Sequence, residues 1–195
     1  MNTEEREKKS VGKVLKTRMS AKRLAFMAIF VALSYAVSFW EIPLFPATPY
    51  LKLDFGNVFI LLVSFLLGPI EGVIVCALKE SLRMLSSSSG CVGEVANMAA
   101  TTAFILLPSI IYQFRKGLRW VIPCLIAACF IGTGAALITN RFITFPLYMK
   151  GAAATVFADA FWFIVAFNLI KTASISLLTV LLYKRLSNFL KKLKI

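Results

Sequence analysis

The chain has 195 residues, of which 59% are hydrophobic and only 16% charged, with a mean hydropathy of +0.80. A soluble domain of this length carries about 25% charged residues, so the composition excludes one and makes the bilayer the solvent. The formal charge of +13 lies at the ends and between apolar runs, which argues for membrane anchoring and against nucleic acid; the absence of histidine removes the commonest general base, the HExxH zinc site and any Ser-His or Cys-His dyad.

Residues 1–23 hold eight Lys or Arg and three Glu without an apolar face, and read as a basic cytoplasmic tail. No small-residue cleavage site follows, so the first apolar run reads as a retained anchor. That run, Leu24 to Trp40, has 17 residues and spans about 25 Å as a helix. Ala21, Ala25, Ala28, Ala32 and Ala36 recur along it at three- and four-residue spacings. Small residues so spaced let another helix approach closely, either a partner protein or a neighbour in the same bundle.

Glu41 to Asp54, EIPLFPATPYLKLD, interleaves Pro43, Pro46 and Pro49 with Phe45 and Tyr50. Proline forbids a regular helix here. An ordered outer loop that lids a site is the favoured reading, and an interfacial connection with an aromatic belt is the other. Phe55 to Leu85 is one span or two. Both termini are basic and belong in the cytoplasm, so the number of spans is even, and Gly68-Pro69 splits the segment into Phe55–Leu67 and Ile70–Leu85 around a tight inner turn.

Ser86 to Gly93 is a polar connection, and Glu94 to Tyr112 is the fourth span, with Glu94 and Asn97 in its first turn. The basic loop RKGLR precedes the fifth span, Trp120 to Thr139. Asn140 to Gly151 reads as an outer loop, and Ala152 to Tyr183 as the sixth span. The expectation is an all-α integral membrane protein with six transmembrane helices and both termini inside: a tail at 1–23, one six-helix domain at 24–186, and a second basic tail at 187–195. The N-terminal tail, RKGLR and the C-terminal stretch LYKRLSNFLKKLKI contain 16 of the 22 Lys and Arg residues, as that orientation requires. Of the four cysteines, three lie in apolar runs as small hydrophobes, while Cys91 faces the outside, open to a disulfide or a ligand contact.

Asn168 and Lys171 are the anomaly. A charge near the centre of a membrane helix costs roughly 2.5–3.5 kcal/mol, so it faces protein or water. At i and i+3 the pair shares one face and offers an amide and an ammonium to one volume. The expected topology gathers Asp54, Asn57, Lys79, Glu80, Arg83, Glu94, Asn97, Asn140 and Asp159 toward the same outer half. They either line one outward cavity or, as for Lys79, Glu80 and Arg83 in the first instance, form ion pairs that close the bundle. Neither an ion-selective ring, a proton-relay series, a second symmetric half nor a GxxxxGK[ST] loop is visible in the sequence, so the chain reads as a binding subunit whose energy source lies elsewhere.

Four stretches in chain order, LKLDFGNVFILLVSFLLGPIEGVIVCALKESL, GCVGEVANM, TNRFITFPLYM and FNLIKTASISLLTVLLYKRL, resemble the riboflavin-specific S components of energy-coupling-factor (ECF) transporters. The resemblance covers nearly the whole chain beyond the N-terminal tail. It implies a six-helix vitamin-binding subunit in a bacterial cell membrane that works with a transmembrane coupling subunit and two ATP-binding-cassette ATPases, which would hydrolyse the ATP. It implies that Asn140, Asn168 and Lys171 make the polar contacts to the flavin, that the loop with Phe45, Tyr50 and Leu51 covers the ring, and that Glu94 and Asn97 meet ribityl hydroxyls. Asp54 and Lys79 join the expected binding set. Ala28 and Ala32 match the surface for the coupling subunit, and SSSS with Cys91 departs from the pattern. Riboflavin would be cargo, and no cofactor is expected. Other readings are an S component for thiamine, folate or another flavin, a structural assembly subunit, or an intramembrane enzyme, which the missing histidine disfavours.

Overall fold

A computed structural model describes residues 20–87, 90–115 and 117–192. Most of the expected N-terminal tail, part of the serine run, Lys116 of the basic loop and the last three residues of the C-terminal tail lie outside them.

Helix α1 (Ala21–Val37) begins one turn before the expected Leu24, because the Ser20 hydroxyl accepts from the Lys22 backbone N–H and caps it. It buries Met27, Phe30, Val31 and Ser34, and turns Ala21, Ala25, Ala28, Ala32 and Ala36 outward. Strands β1 (Glu41–Pro43) and β2 (Lys52–Asp54) then pair antiparallel, with Glu41 opposite Asp54 and Pro43 opposite Lys52. The proline-rich segment therefore adds a two-stranded ladder to a fold expected to be all α. Pro43 is tolerated because a strand at a sheet edge has an N–H that the ladder does not need.

Helix α2 (Asn57–Leu66) has 10 residues, about 15 Å, half of a hydrocarbon core. Eight of them are buried, so α2 sits inside the bundle and its length need not match the lipid. Gly68 reverses the chain at φ 137°, and a Cβ there would lie 2.6 Å from Gln113 Nε2 and 2.7 Å from Glu71 Oε2. Pro69 occupies the first turn of α3 (Pro69–Leu85), where its missing N–H costs nothing. The expected split at Gly68-Pro69 is thus where the helices separate.

Helix α4 (Val92–Phe114) starts after Cys91, whose φ of 70° is left-handed. Helix α5 (Leu118–Thr139) does not end in the expected outer loop. Asn140–Thr144 continue as a π-helical turn, Phe145–Met149 form α6, and Lys150–Ala152 a 3-10 turn before α7 (Ala153–Lys192). Nothing in NRFITFPLYM breaks a helix, since Pro146 falls in the first turn of α6 and glycine first appears at Gly151. Helix α7 runs 40 residues, through Tyr183 and past the expected domain limit at 186. Val92–Phe114, Arg119–Met149 and Ala153–Tyr183 are long and apolar enough to cross a membrane.

Two apolar clusters share α7. The larger joins Met27, Phe30 and Val31 of α1 with α2, Val75 and Cys76 of α3, Phe104 and Ile105 of α4, Val121 and Leu125 of α5, and Ile175 of α7. The smaller joins Leu51, Leu53, Phe145, Ala153, Ala160, Ile164 and Phe167. At the hairpin end, Arg23 Nη2 lies 2.7 Å from Glu71 Oε1 and 2.5 Å from the Leu67 carbonyl, tying α1 to the α2–α3 turn. Toward the loop end, the Ser34 hydroxyl donates to the Gly56 carbonyl at 2.8 Å, and a Cβ on Gly56 would come within 2.3 Å of the Ser34 carbonyl oxygen. Only glycine allows this approach.

Candidate functional site

Between the two clusters α7 becomes polar. Ile164 and Phe167 belong to the loop-side cluster, Asn168 and Lys171 follow, and Ile175 belongs to the main core. Lys171 Nζ donates to Asn97 Oδ1 at 2.6 Å and stands 5.8 Å from the Phe167 ring centroid. Asn97 Nδ2 in turn donates to Glu80 Oε1 at 2.5 Å. Glu80 Oε1 also accepts from Lys79 Nζ at 2.8 Å, and Lys79 reaches Asp54 Oδ2 at 2.5 Å and Asn57 Oδ1 at 3.4 Å. Asn57 Nδ2 donates to Thr101 Oγ1 at 3.0 Å and to Asn97 Oδ1 at 3.3 Å. Four helices and β2 thus meet in one hydrogen-bonded set.

Its charges balance, with Asp54 and Glu80 against Lys79 and Lys171. Balance matters because an unpaired ion in this environment costs several kcal/mol, while a paired and fully hydrogen-bonded one is tolerated. Lys79 is 1% exposed, and its three donors meet Asp54, Glu80 and Asn57. Asp54 is engaged on both oxygens, since Oδ1 accepts from the Gly56 backbone N–H at 2.7 Å. Asp54 and Lys79 are thus ion-paired, as are Lys79 and Glu80, the arrangement that stands as the alternative to a cavity lining for Lys79, Glu80 and Arg83. Arg83 pairs separately with Glu41, which also holds Lys52 at 2.8 Å, and its guanidinium stacks 5.4 Å from the Phe39 ring centroid. This set fastens the β1–β2 ladder to α3.

Asn140 and Asn168 share a local arrangement. The first donates Nδ2 to the Ala136 carbonyl at 2.8 Å, and the second to the Ile164 carbonyl at 2.9 Å, each one turn back. Each keeps a carbonyl oxygen and a second N–H for another partner. Asn140 opens the π turn, a local widening of the helix that occurs often at functional sites. Glu94 is buried in the first turn of α4, one turn before Asn97. Asp159 is exposed on α7 and lies outside the network.

Over the loop-side cluster, the Phe45 ring packs edge-on against Phe163 at 5.6 Å, and Tyr50 against Phe145 at 6.2 Å. Leu51 is buried in the same cluster, with Phe145, Ile164 and Phe167. The proline-rich segment is therefore seated on α6 and on the part of α7 that precedes its polar stretch. Burial raises the Tyr50 phenol above its usual range, so its hydroxyl stays protonated and remains a donor. The chemistry offered is a set of aromatic rings on the loop-side cluster and, next to that cluster on α7, amides and one ammonium. Glu80, Asn57 and Thr101 enter the set only through their contacts with Asn97 and Lys79; a carboxylate next to a lysine in an apolar run is the one local signal for Glu80.

These features describe a largely helical protein with helices long and apolar enough to cross a membrane and a buried polar network beside an aromatic loop. Residues 22–183 match the model of the family described as "ECF transporter, substrate-specific component". The chain belongs to that family. It is 35% identical over 177 residues to the riboflavin transporter RibU of Staphylococcus aureus (strain TCH60), covering 88% of this chain and 94% of the relative. It is 25% identical to the riboflavin transporter FmnP of Bacillus subtilis (strain 168), covering 89% of this chain and 96% of that protein. A solved structure of the S component of a bacterial ECF transporter superposes with a TM-score of 0.76 at 36% identity, covering 87% of this chain and 98% of the other.

Proposed function

We propose that this chain captures riboflavin outside a bacterial cytoplasmic membrane, as the substrate-specific subunit of an ECF importer, and releases it inside when partner subunits hydrolyse ATP. The observation that carries the proposal is Lys171 held on Asn97 beside Asn168, below a loop seated through Phe45, Tyr50 and Leu51. An isoalloxazine presents a planar apolar face, two carbonyl acceptors and an imide donor along one edge. Aromatic cover suits the face, while Lys171, Asn168 and Asn140 supply donors and acceptors for the edge. Glu94 and Asn97 are placed one turn apart on α4 for the ribityl hydroxyls, and Asp54 and Lys79 hold that wall from behind.

The working topology is six spans, α1 to α5 and α7, with both termini in the cytoplasm and the proline-rich loop outside. The outward alanine face of α1, with Ala28 and Ala32 at its centre, is the surface for a transmembrane coupling subunit, which joins two ATP-binding-cassette ATPases. Riboflavin is cargo in this reading, with no resident cofactor. Protein purified in detergent should quench the fluorescence of added riboflavin at one-to-one stoichiometry, and thiamine or folate should not compete. Failure to quench, or competition by either vitamin at equal concentration, would overturn the assignment.

A further inference from the structure

Asn97 has a side chain that can point either way, and the orientation matters. Turned one way it gives Lys171 an acceptor; turned the other it presents an NH₂ group to an ammonium. Its neighbours on α4 do not decide this, because the Thr101 hydroxyl, 3.4 Å away, can donate or accept. A carboxylate can only accept. We infer that Glu80 is a positioning residue for ligand binding: it fixes the Asn97 amide so that Oδ1 faces Lys171, and thereby holds the Lys171 ammonium at the recognition edge.

The geometry supports each link. Glu80 is 1% exposed on α3, and its Oε1 accepts from both Lys79 and Asn97. With Nδ2 committed there, Oδ1 is left to accept from Lys171 at 2.6 Å and from Asn57 at 3.3 Å. The chain of contacts runs from α3 through α4 to α7. Glu80 takes no part in contacting the ligand; its influence passes through one amide. Lys79 acts on this amide only at second hand, through Asn57, whose Oδ1 it holds at 3.4 Å and whose Nδ2 reaches Asn97 Oδ1 at 3.3 Å; its ammonium cannot itself accept the Asn97 N–H.

The inference rests on Lys171 contacting riboflavin, so the test separates the two. Riboflavin affinity is measured by fluorescence quenching for the wild type, Glu80→Leu, Lys171→Met and the double variant, with thermal unfolding in detergent recorded alongside. Glu80→Leu should weaken binding by about 10-fold or more in the wild-type background and by less than about 2-fold in the Lys171→Met background, because its effect is transmitted through Lys171. Glu80→Gln keeps an acceptor oxygen and should recover most of the loss. Equal losses in the two backgrounds would overturn the positioning role while leaving riboflavin binding intact. An unchanged affinity for Lys171→Met would instead remove the contact on which the inference depends, and so overturn it. Glu80→Ala, which leaves room for water beside Lys79, carries the same cycle if the leucine variant does not fold.

Discussion

Replacing Lys79 by methionine keeps the length of the side chain and removes its charge. In the structure this cation is 1% exposed and holds Asp54 Oδ2 at 2.5 Å and Glu80 Oε1 at 2.8 Å. Removing one member of a buried ion pair leaves its partner uncompensated, at a cost of about 3–5 kcal/mol. Here two carboxylates lose their cation, but Asp54 keeps the Gly56 N–H and Glu80 keeps the Asn97 amide, which places the loss toward the lower end of that range. For a chain of this length the unfolding midpoint should fall by on the order of 10 °C, read by a thermal shift of detergent-solubilised protein without ligand. Restoring neutrality tests the cause: Asp54→Asn together with Lys79→Met should recover part of the lost stability, although Asp54→Asn alone should destabilise. If Lys79→Met melts with the wild type, or if the double variant melts lower than either single one, burial of a balanced charge set is the wrong account of this part of the fold.

Other consequences are open to direct measurement. Asn168→Ala and Lys171→Met should each weaken riboflavin binding by about 1–3 kcal/mol, 5- to 150-fold; Asn168→Ala should melt near the wild type, while Lys171→Met, which takes a cation out of the balanced set, should melt lower, and unaltered affinity would take either residue out of the site. Ala28→Leu combined with Ala32→Leu should abolish uptake in cells while riboflavin still quenches on the purified protein, and normal uptake would mean that this face docks nothing. Gly56→Ala forces a Cβ to within 2.3 Å of the Ser34 carbonyl and should cost roughly 1–3 kcal/mol of stability, seen as a lower unfolding midpoint. Glu41→Gln should weaken the Arg83 and Lys52 contacts and quicken protease cleavage within Leu44–Tyr50; equal cleavage rates would mean that these ion pairs do not fasten the loop.

The sequence reveals the parts of this fold that are punctuated locally. Three prolines in Glu41–Asp54 forbid a helix, and Gly68-Pro69 marks the turn between α2 and α3 because only glycine adopts φ 137° beside Gln113 and Glu71. The two-stranded ladder is hidden, since it depends on Glu41 meeting Asp54 across a loop. The helical path through Asn140–Met149 is equally hidden: polar residues at a span's end read as a loop, whereas the chain simply widens by a π turn and continues. Asn168 and Lys171 are visible as polar residues in an apolar run. Their partners are not, because Asn97 and Lys171 are 74 residues apart and Asp54 and Lys79 are 25 apart, and no periodicity links such positions.

The hydrogen bond from Ser34 to the Gly56 carbonyl joins two regions with different jobs. Ser34 lies on the inner face of the helix whose outer face carries the alanines, and Gly56 follows two residues after Asp54 and donates its N–H to that carboxylate. A carbon added at Gly56 would stand only 2.3 Å from the Ser34 carbonyl oxygen, so there is no spare room at the crossing. In the proposed assembly, a protein that grips the alanine face takes hold of the same helix that is bonded to Gly56, whose N–H is in turn held by the Asp54 carboxylate on Lys79. The face proposed for membrane assembly and the polar set proposed for the vitamin are thus joined across a contact one glycine wide.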